Sequence, residues 1–593
     1  MVAQHSDNLM GSSLKSQRGA AYLRYKRLED DRSSWRSHWI EISDHLLPRR
    51  GRYLLESQSS KGRKRSNKIV DNTAGQALRT LSSGMMAGMT SPARPWFRLQ
   101  TPQIDMMQMP GVKDWLGQAE RVVRQILTRS NFYNSASSIY TELGAFGTAA
   151  MYRRPHPTDT VSYRPLTAGE YVIAEDEYGR VDTLCREFTM SVSQIVEQFV
   201  LDKETGKEDW SKVSKAVHNL WNQRNFDSQV EVIHMIQPRR SEDRDPDKID
   251  GKNRRFMDVY FEKGSDNDTF LAEGGHDTFP AYVPRWDALG GDVYGVSPGM
   301  EHLGDIKQLQ HEQKRKAQAI DKMVNPPMLA SMALKGKPST VLPGGTTYVD
   351  SAAGQQGFQP AYLVQPRINE MMMDIQEVQN RIQRGFYADL FAMMINSDRR
   401  QMTATEVAER HEEKLTLLGP VLQRLNTEFL DPLVADTFNF AMAAQMLPPP
   451  PPELGGLDID IKYVSLLAQA QEAVAASSIE RTFAFAGNMS AVFPDIIDNV
   501  DADFAFREYG ETLGISPNII READDIANIR KQRAEAQAKA QQMEQAQQGM
   551  QLAGQGAQAA KVLSEADTTT PNALTALLQG GGGAARSTVV RRP

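Results

Sequence analysis

Four groups of residues have types and spacings that could do chemistry. Gly295-Val296-Ser297-Pro298-Gly299 is a literal G-x-S-x-G. It follows a possible strand (Asp292-Val293-Tyr294) and precedes a helical pattern, where the nucleophile of a serine hydrolase would sit. Against that reading, the downstream histidines are His302, His311 and His411, all inside helical patterns, and no H-G-G-G-type oxyanion segment is present. Ser297 followed by Pro298 is also a complete helix start: a side-chain oxygen for the free amides, then a residue with no N–H to satisfy. Asp243, Asp245 and Asp247 imitate the opening of a calcium loop, but Lys248 stands where glycine is needed and Arg254 where the closing glutamate belongs. Gly336-Lys337-Pro338-Ser339 lacks the upstream glycine of a phosphate loop. The histidines show no H-E-x-x-H or other tight ligand spacing. The sequence therefore predicts no catalytic residue, no metal site and no cofactor, and the serine-hydrolase alternative rests on Ser297 alone.

The chain has 593 residues, 24% of them charged, with a formal net charge of -6. That length predicts several domains, and that charge argues against a chain that binds nucleic acid over its whole surface. A single cysteine, Cys185, excludes an internal disulfide framework and a cysteine-based zinc site. No uninterrupted apolar run approaches the roughly 18 residues needed to span a bilayer. The amino-terminal segment has no basic-then-apolar signal. These features predict a soluble protein with no membrane partner.

The elements that would position any site centre on residues 297–390. Met300, Leu303, Ile306 and Leu309 recur at helical spacing from Ser297 until Asn325-Pro326-Pro327 stops the pattern. Ile368, Met371, Met372, Ile375, Val378, Ile382 and Phe386 repeat it on a returning arm. Arms of about 28 and 23 residues would measure roughly 42 and 34 Å. Their apolar stripes are narrow and their backs charged, so a lone hairpin cannot bury itself and needs neighbours, either a globular core or copies of itself around an axis. The insert 326–366 contains L-P-G-G-T-T-Y-V-D and A-Y-L-V-Q-P, which predict a small β element at the far end.

Upstream, helices are expected over 15–47, 69–86 and 112–150, the last broken near Ser130-Asn131 and crowded with small residues at Gly144, Gly147, Ala149 and Ala150. The run T-S-P-A-R-P-W-F-R-L predicts an extended segment presenting Trp96 and Phe97. The basic stretch from Arg49 to Lys68 reads as a phosphate-contacting arm or as a solvated loop. From 160 to 285 short β-branched and aromatic runs predict a mostly antiparallel sheet, interrupted by one helix near 191–199. After the hairpin, 391–402 reads as a loop of methionines and two arginines. Thr403 and Glu406 form a capping box for a helix that kinks at Gly419-Pro420 and ends at Pro448 to Pro452. The rest is helical and increasingly polar, with Ile529, Ala536, Met543 and Met550 one heptad apart, and the last residues are expected to be disordered. The predicted fold class is α+β and mainly helical.

Several stretches together resemble the head-to-tail connector, or portal, family of short-tailed bacteriophages. They are T-S-P-A-R-P-W-F-R-L (90–99), R-W-D-A-L-G-G-D-V-Y-G-V-S-P-G (285–299), L-G-D-I-K-Q-L (303–309), N-P-P (325–327) and M-T-A-T-E-V-A-E-R…L-G-P (402–420). The resemblance implies a ring, usually of twelve subunits, at one capsid vertex. It implies a wing (1–296 with a helix over 403–454), a stem (297–325 and 367–390), a clip (326–366), a channel loop (391–402), a helical crown (455–565) and a disordered tail (566–593). It makes Met393, Met394, Arg399 and Arg400 candidates for touching passing double-stranded DNA; for the two arginines the alternative is a salt bridge to a neighbouring wing.

A genome that must slide freely argues against a strongly basic bore, because each neutralised phosphate adds affinity through counterion release. The first arm carries Glu301, Asp305, Glu312 and Asp321 against Lys307, Lys314, Arg315, Lys316 and Lys322, and the second carries Glu370, Asp374, Glu377 and Asp389 against Arg367, Arg381 and Arg384, so the two arms cancel. These charges are expected to line the channel or to bridge subunits. The partners implied are the terminase large subunit, tail adaptor and tubular tail proteins, the major capsid and scaffolding proteins, and internal core proteins. The place implied is the virion, after assembly in the host bacterial cytoplasm. The alternative within this reading is another virion or tail-adaptor structural protein.

Overall fold

The computed structural model describes residues 16–54, 68–102 and 109–329, with short gaps at 157, 159, 203–205, 246 and 266–267. It further describes 359–360, 367–397, 417–454, 459–465, 467–469, 482–489, 493, 501–512, 525–541 and 543. The chain divides into two units, residues 1–514 and 515–593. In the second, residues 525–541 are helical and almost wholly exposed.

In the first unit, helix α1 (Gln17–His45) starts at Ser16, whose hydroxyl accepts from the Gly19 N–H. Its buried side, including Tyr25, Trp39 and Ile42, faces the core. Helix α2 (Thr73–Met89) is followed by strand β1 (Phe97–Gln100), then by α3 (Pro110–Arg129) and α4 (Phe132–Phe146). The expected break falls at Ser130-Asn131, and α4 ends on Gly147 at φ +74°, a left-handed cap that glycine adopts without strain. The small residues act as anticipated: a methyl group on Gly144 would come within 2.7 Å of Leu78 Cδ1.

The β region is antiparallel throughout. Strands β2 (Ala150–His156) and β3 (Thr160–Leu166) form a hairpin that β9 (Ala281–Tyr282) extends. Strands β4 (Tyr171–Glu175), β5 (Val181–Ser191), β6 (Gln229–Pro238), β7 (Phe256–Glu262) and β8 (Ala272–His276) make a five-stranded sheet in sequence order. A short helical turn at Val192–Val200 and helix α5 (Lys215–Asn222) cover one end. Sequence reasoning missed α5, which is only eight residues long.

The long outgoing helix α6 (Leu303–Val324) is preceded by a separate turn, Pro298–Glu301, and His302 leaves helical geometry between them. The single helix expected over 297–325 is thus divided. Gly299 explains the division: its Cα lies so close to α4 that a Cβ there would meet the carbonyls of Ala145 and Gly144 at 3.0 and 3.1 Å. The turn is docked on α4, and α6 begins one residue beyond it. In the insert, Met328–Leu329 (β10) pairs antiparallel with Gln359–Pro360 (β11), as the expected β element requires; the stretches 342–350 and 361–366 lie outside the described residues.

The returning helix α7 (Ile368–Gly385) ends earlier than expected, at a turn where Tyr387 has φ +52°. Helix α8 (Ala388–Ser397) follows, so residues 391–397 are helical and not loop. The reason is burial: Leu390 and Phe391 on α8 are fully buried, as is Phe386 at the end of α7. Residues 417–443 form one helical run with a wider turn at Asn426–Leu430, closing as α9 (Asp431–Ala443). The described part of the run begins at 417, so Gly419-Pro420 lie in its first turn, and Pro448 follows its end; residues 403–416 lie outside the described residues.

Strand β12 (Asp460–Tyr463) returns to pair with β1, in a region expected to be helical crown. Ile459, Ile461 and Tyr463 alternate with polar residues, a period of two that suits a half-buried strand. Trp96 and Phe97, expected to be presented, are buried beneath this pair, with Trp96 stacked on Tyr463. Downstream, helix α10 spans Ala502–Thr512.

Candidate functional site

Both arms of the hairpin are rooted on one carboxylate. Asp71 stands just before α2, and its Oδ1 accepts from the Thr73 N–H at 2.8 Å and from the Thr73 hydroxyl at 2.5 Å. Its Oδ2 accepts from Gln313 Nε2 of α6 at 2.7 Å and from Gln379 Nε2 of α7 at 2.8 Å. Gln310, buried one turn below Gln313, binds the same segment through its backbone. Its Oε1 accepts from the amides of Val70 and Asp71 at 2.6 and 2.8 Å, and its Nε2 donates to the Asp71 carbonyl at 2.8 Å. Partial burial alone would raise the Asp71 carboxyl, but the bonds from Thr73, Gln379 and Gln313 outweigh it and hold the group below the usual carboxylate range. Sequence reasoning missed this set. The available signal was a pair of glutamines, Gln310 and Gln313, continuing the apolar stripe of Ile306 and Leu309 at helical spacing.

Above the root the hairpin changes character. Leu303, Ile306 and Leu309 of α6 and Ile375, Val378 and Ile382 of α7 are buried. Farther out the same helices expose Ile320 (39%), Met323 (49%), Val324 (68%), Met372 (55%) and Met373 (74%). With 22 and 18 residues, α6 and α7 span roughly 33 and 27 Å, so about half of that length leaves its apolar side to solvent.

The arm charges divide into paired and free groups. Lys307 Nζ lies 2.5 Å from Glu41 of α1, and Arg381 bridges the arms to Asp305 at 3.5 Å. Glu370 pairs with Arg367 at 2.9 Å, and Glu312 accepts from Gln308 at 2.6 Å. Arg315 donates to His311 at 3.4 Å. Lys314, Arg315, Lys322, Asp374, Glu377 and Arg384 are exposed and Lys316 is half-buried. Arg384 borders a groove with Gln76, Thr80 and Asp389.

Helix α8 packs along α2, where Gly84 leaves room for Phe391; a methyl at Gly84 would overlap that ring. Met393 and Met394 lie on α8, one turn beyond the buried Leu390 and Phe391. Arg399, Arg400, Thr403 and Glu406 lie outside the described residues.

The other motifs resolve into structural roles. The Ser297 hydroxyl donates to the Ala145 carbonyl at 2.8 Å and accepts from the Met300 N–H at 3.0 Å, so it caps the turn and anchors it to α4. His302 pairs with Asp305 at 3.2 Å. Asp245 pairs with Lys248 at 3.1 Å, and its N–H donates to Asn253 at 2.8 Å, which closes an acidic turn. The segment 336–339 lies outside the described residues. Arg285, deeply buried, pairs with Glu175 at 2.9 Å and Glu428 at 2.7 Å, tying β4 and the 417–443 helix to the segment that follows β9 and leads into the hairpin. A buried guanidinium requires such partners.

Three relatives match this chain over most of its length. It is 47% identical to a probable portal protein of Bordetella phage BPP-1, covering 95% of this chain and 98% of the relative. It is 42% identical to a portal protein of Salmonella phage epsilon15, covering 94% and 97%. Similarity to a portal protein of Enterobacteria phage T3 is 22%, covering 72% and 75%. Residues 18–520 match the family described as bacteriophage head to tail connecting protein. A match of that extent, over a hairpin rooted as described, places the chain: it belongs to the bacteriophage head to tail connecting protein family.

Proposed function

We propose that this chain is the subunit of a closed portal ring, of twelve copies, through which double-stranded DNA enters and leaves the capsid. One observation carries the reading. The apolar side of α6 and α7 is buried at the root and exposed over the outer half, at Ile320, Met323, Val324 and Met372. Such a surface is covered when identical hairpins stand side by side about an axis. The family membership and the portal relatives support the same reading.

In this reading residues 1–296 and 403–454 form the wing, 297–325 and 367–390 the stem, 326–366 the clip, and 455–565 the crown. Two boundaries are refined. Residues 460–465 and Leu467 belong with the wing, because β12 pairs with β1 and Leu467 is buried in the same core. The part of the 391–402 segment that is described, residues 391–397, continues as helix. Met393, Met394, Arg399 and Arg400 then face the passing DNA. The clip receives the terminase large subunit during packaging and tail adaptor and tubular tail proteins afterwards. The wing and crown meet capsid, scaffolding and internal core proteins, and the ring assembles in the bacterial cytoplasm. The protein acts as conduit and docking ring, and the energy for packaging comes from its motor partner.

Electron microscopy of the purified full chain tests the ring: particles with a hollow axis are expected, and monomers or simple dimers under all conditions would overturn it. Arg399→Ala with Arg400→Ala tests the residue assignment. Rings should form normally while packaged or retained DNA falls, and an unchanged phage yield would remove these two arginines from the channel.

A further inference from the structure

The outer halves of the two stem helices carry opposite charge. Residues 311–324 of α6 contain Lys314, Arg315, Lys316 and Lys322 against Glu312 and Asp321, a net of +2. Residues 368–380 of α7 contain Glu370, Asp374 and Glu377 and no basic residue, a net of -3. On α6, Arg315 and Lys322 are seven residues apart and share one face, turned away from the buried Ile306, Leu309 and Gln310. On α7, Glu370, Asp374 and Glu377 recur at the four- and three-residue spacing of a single stripe, beside the exposed Met373.

These two stripes do not satisfy each other within one chain. Among the described residues, the ion pair that joins the two arms is Arg381 with Asp305, near the root. Lys314, Arg315, Lys322, Asp374 and Glu377 are exposed and have no oppositely charged partner within 4 Å among the described residues. Along the outer stretch of α6 the free charges of Arg315 and Lys322 lie on the side opposite Ile320 and Val324.

Resting on the ring reading above, we propose that the stem interface is a polar-flanked, head-to-tail contact between copies: the basic stripe of α6 in one subunit docks on the acidic stripe of α7 in the next. A contact between two different surfaces repeats around an axis and closes into a ring where its rotation allows, whereas a contact of like with like would stop at a dimer. Here like with like would also set Arg315 and Lys322 against their copies, or an acidic stripe against its copy. Opposite charge fixes which arm meets which.

Charge reversal in the full chain tests this. Arg315→Glu with Lys322→Glu makes both arms acidic, and Asp374→Lys with Glu377→Lys makes both basic. Each variant alone should lose at least nine-tenths of its rings by electron microscopy and mass photometry. The monomer's thermal midpoint should stay at that of the unaltered chain's monomer, showing that it folds. The chain carrying all four substitutions restores complementarity with the signs exchanged and should recover most of the rings, as should coexpression of the two double variants. Rings undiminished in either double variant, or no recovery in the fourfold chain, would overturn the pairing while leaving the ring reading standing. Absence of rings from the unaltered chain would overturn the ring reading itself.

Discussion

Gln379 donates to Asp71 Oδ2 at 2.8 Å, across 308 residues of sequence, and so fastens the returning stem helix to the segment that starts α2. The same oxygen holds Gln313 of the outgoing helix at 2.7 Å. One carboxylate therefore sets the relative placement of both arms at the level where they leave the core. Asp71→Ala should destabilise the chain by about 2–3 kcal/mol, the ordinary range for hydrogen bonds to a charged group. Asp71→Asn, which keeps an acceptor, should cost about half as much. Chemical denaturation gives the magnitude, and hydrogen exchange should show faster opening at the bases of α6 and α7 together; faster exchange in one arm alone would deny the shared root.

Gly84 and Phe391 make the second test. Alanine at an exposed helix position usually gains up to about 1 kcal/mol over glycine. At Gly84 the added methyl overlaps Phe391, so Gly84→Ala should instead destabilise by about 1–3 kcal/mol. Combined with Phe391→Ala, the cost should be well below the sum of the two single costs, because the smaller side chain accepts the methyl. Additive costs in thermal melting would mean that α8 does not pack on α2 at this point.

Ser297→Ala removes a helix cap and leaves the buried Ala145 carbonyl without its donor. A loss of about 1–2 kcal/mol follows from the cap alone. A fluorophosphonate probe should leave Ser297 unlabelled in the unaltered chain, since its hydroxyl is buried and committed to two backbone groups. Labelling that Ser297→Ala abolishes would revive the nucleophile.

Acid should loosen the five-stranded sheet. His234 Nε2 lies 2.7 Å from Asp258 Oδ1, and His276 Nε2 lies 2.9 Å from Asp258 Oδ2. Burial pushes the His234 imidazole down to about 4, with Arg186 donating to its Nδ1 at 2.9 Å. Burial alone would raise the Asp258 carboxyl, but the two histidines outweigh it and hold the group well below the ordinary range. Both groups are depressed in the fold, so their contribution is complete above the unfolded histidine value of about 6.5 and is lost as pH falls. Between pH 6.5 and 4 the unfolded chain takes up a proton that folded His234 refuses, a loss of up to about 3 kcal/mol. The melting midpoint should fall across that window, and His234→Gln should flatten the fall; an unchanged slope would assign the acid sensitivity elsewhere.

Spacing alone determined a good part of this protein. The apolar repeats at 300–309 and 368–386, stopped by Asn325-Pro326-Pro327, placed two long arms because a 3.6-residue period and a proline stop are properties of the local backbone. Ser297-Pro298 marked the start of the turn for the same reason, and the short runs between 160 and 285 announced antiparallel strands through their period of two. Only the folded chain decided where those elements stop and what they touch. His302 divides the outgoing arm because Gly299 is pressed onto the carbonyls of α4, and residues 391–397 stay helical because Phe391 must fill the space left by Gly84. Strand β12 pairs with β1 from more than 350 residues away. Asp71 gathers Gln313 and Gln379 in the same manner. Contacts between segments so distant in the chain leave no periodic trace in either one, so sequence could name the arms but not the carboxylate that fixes them.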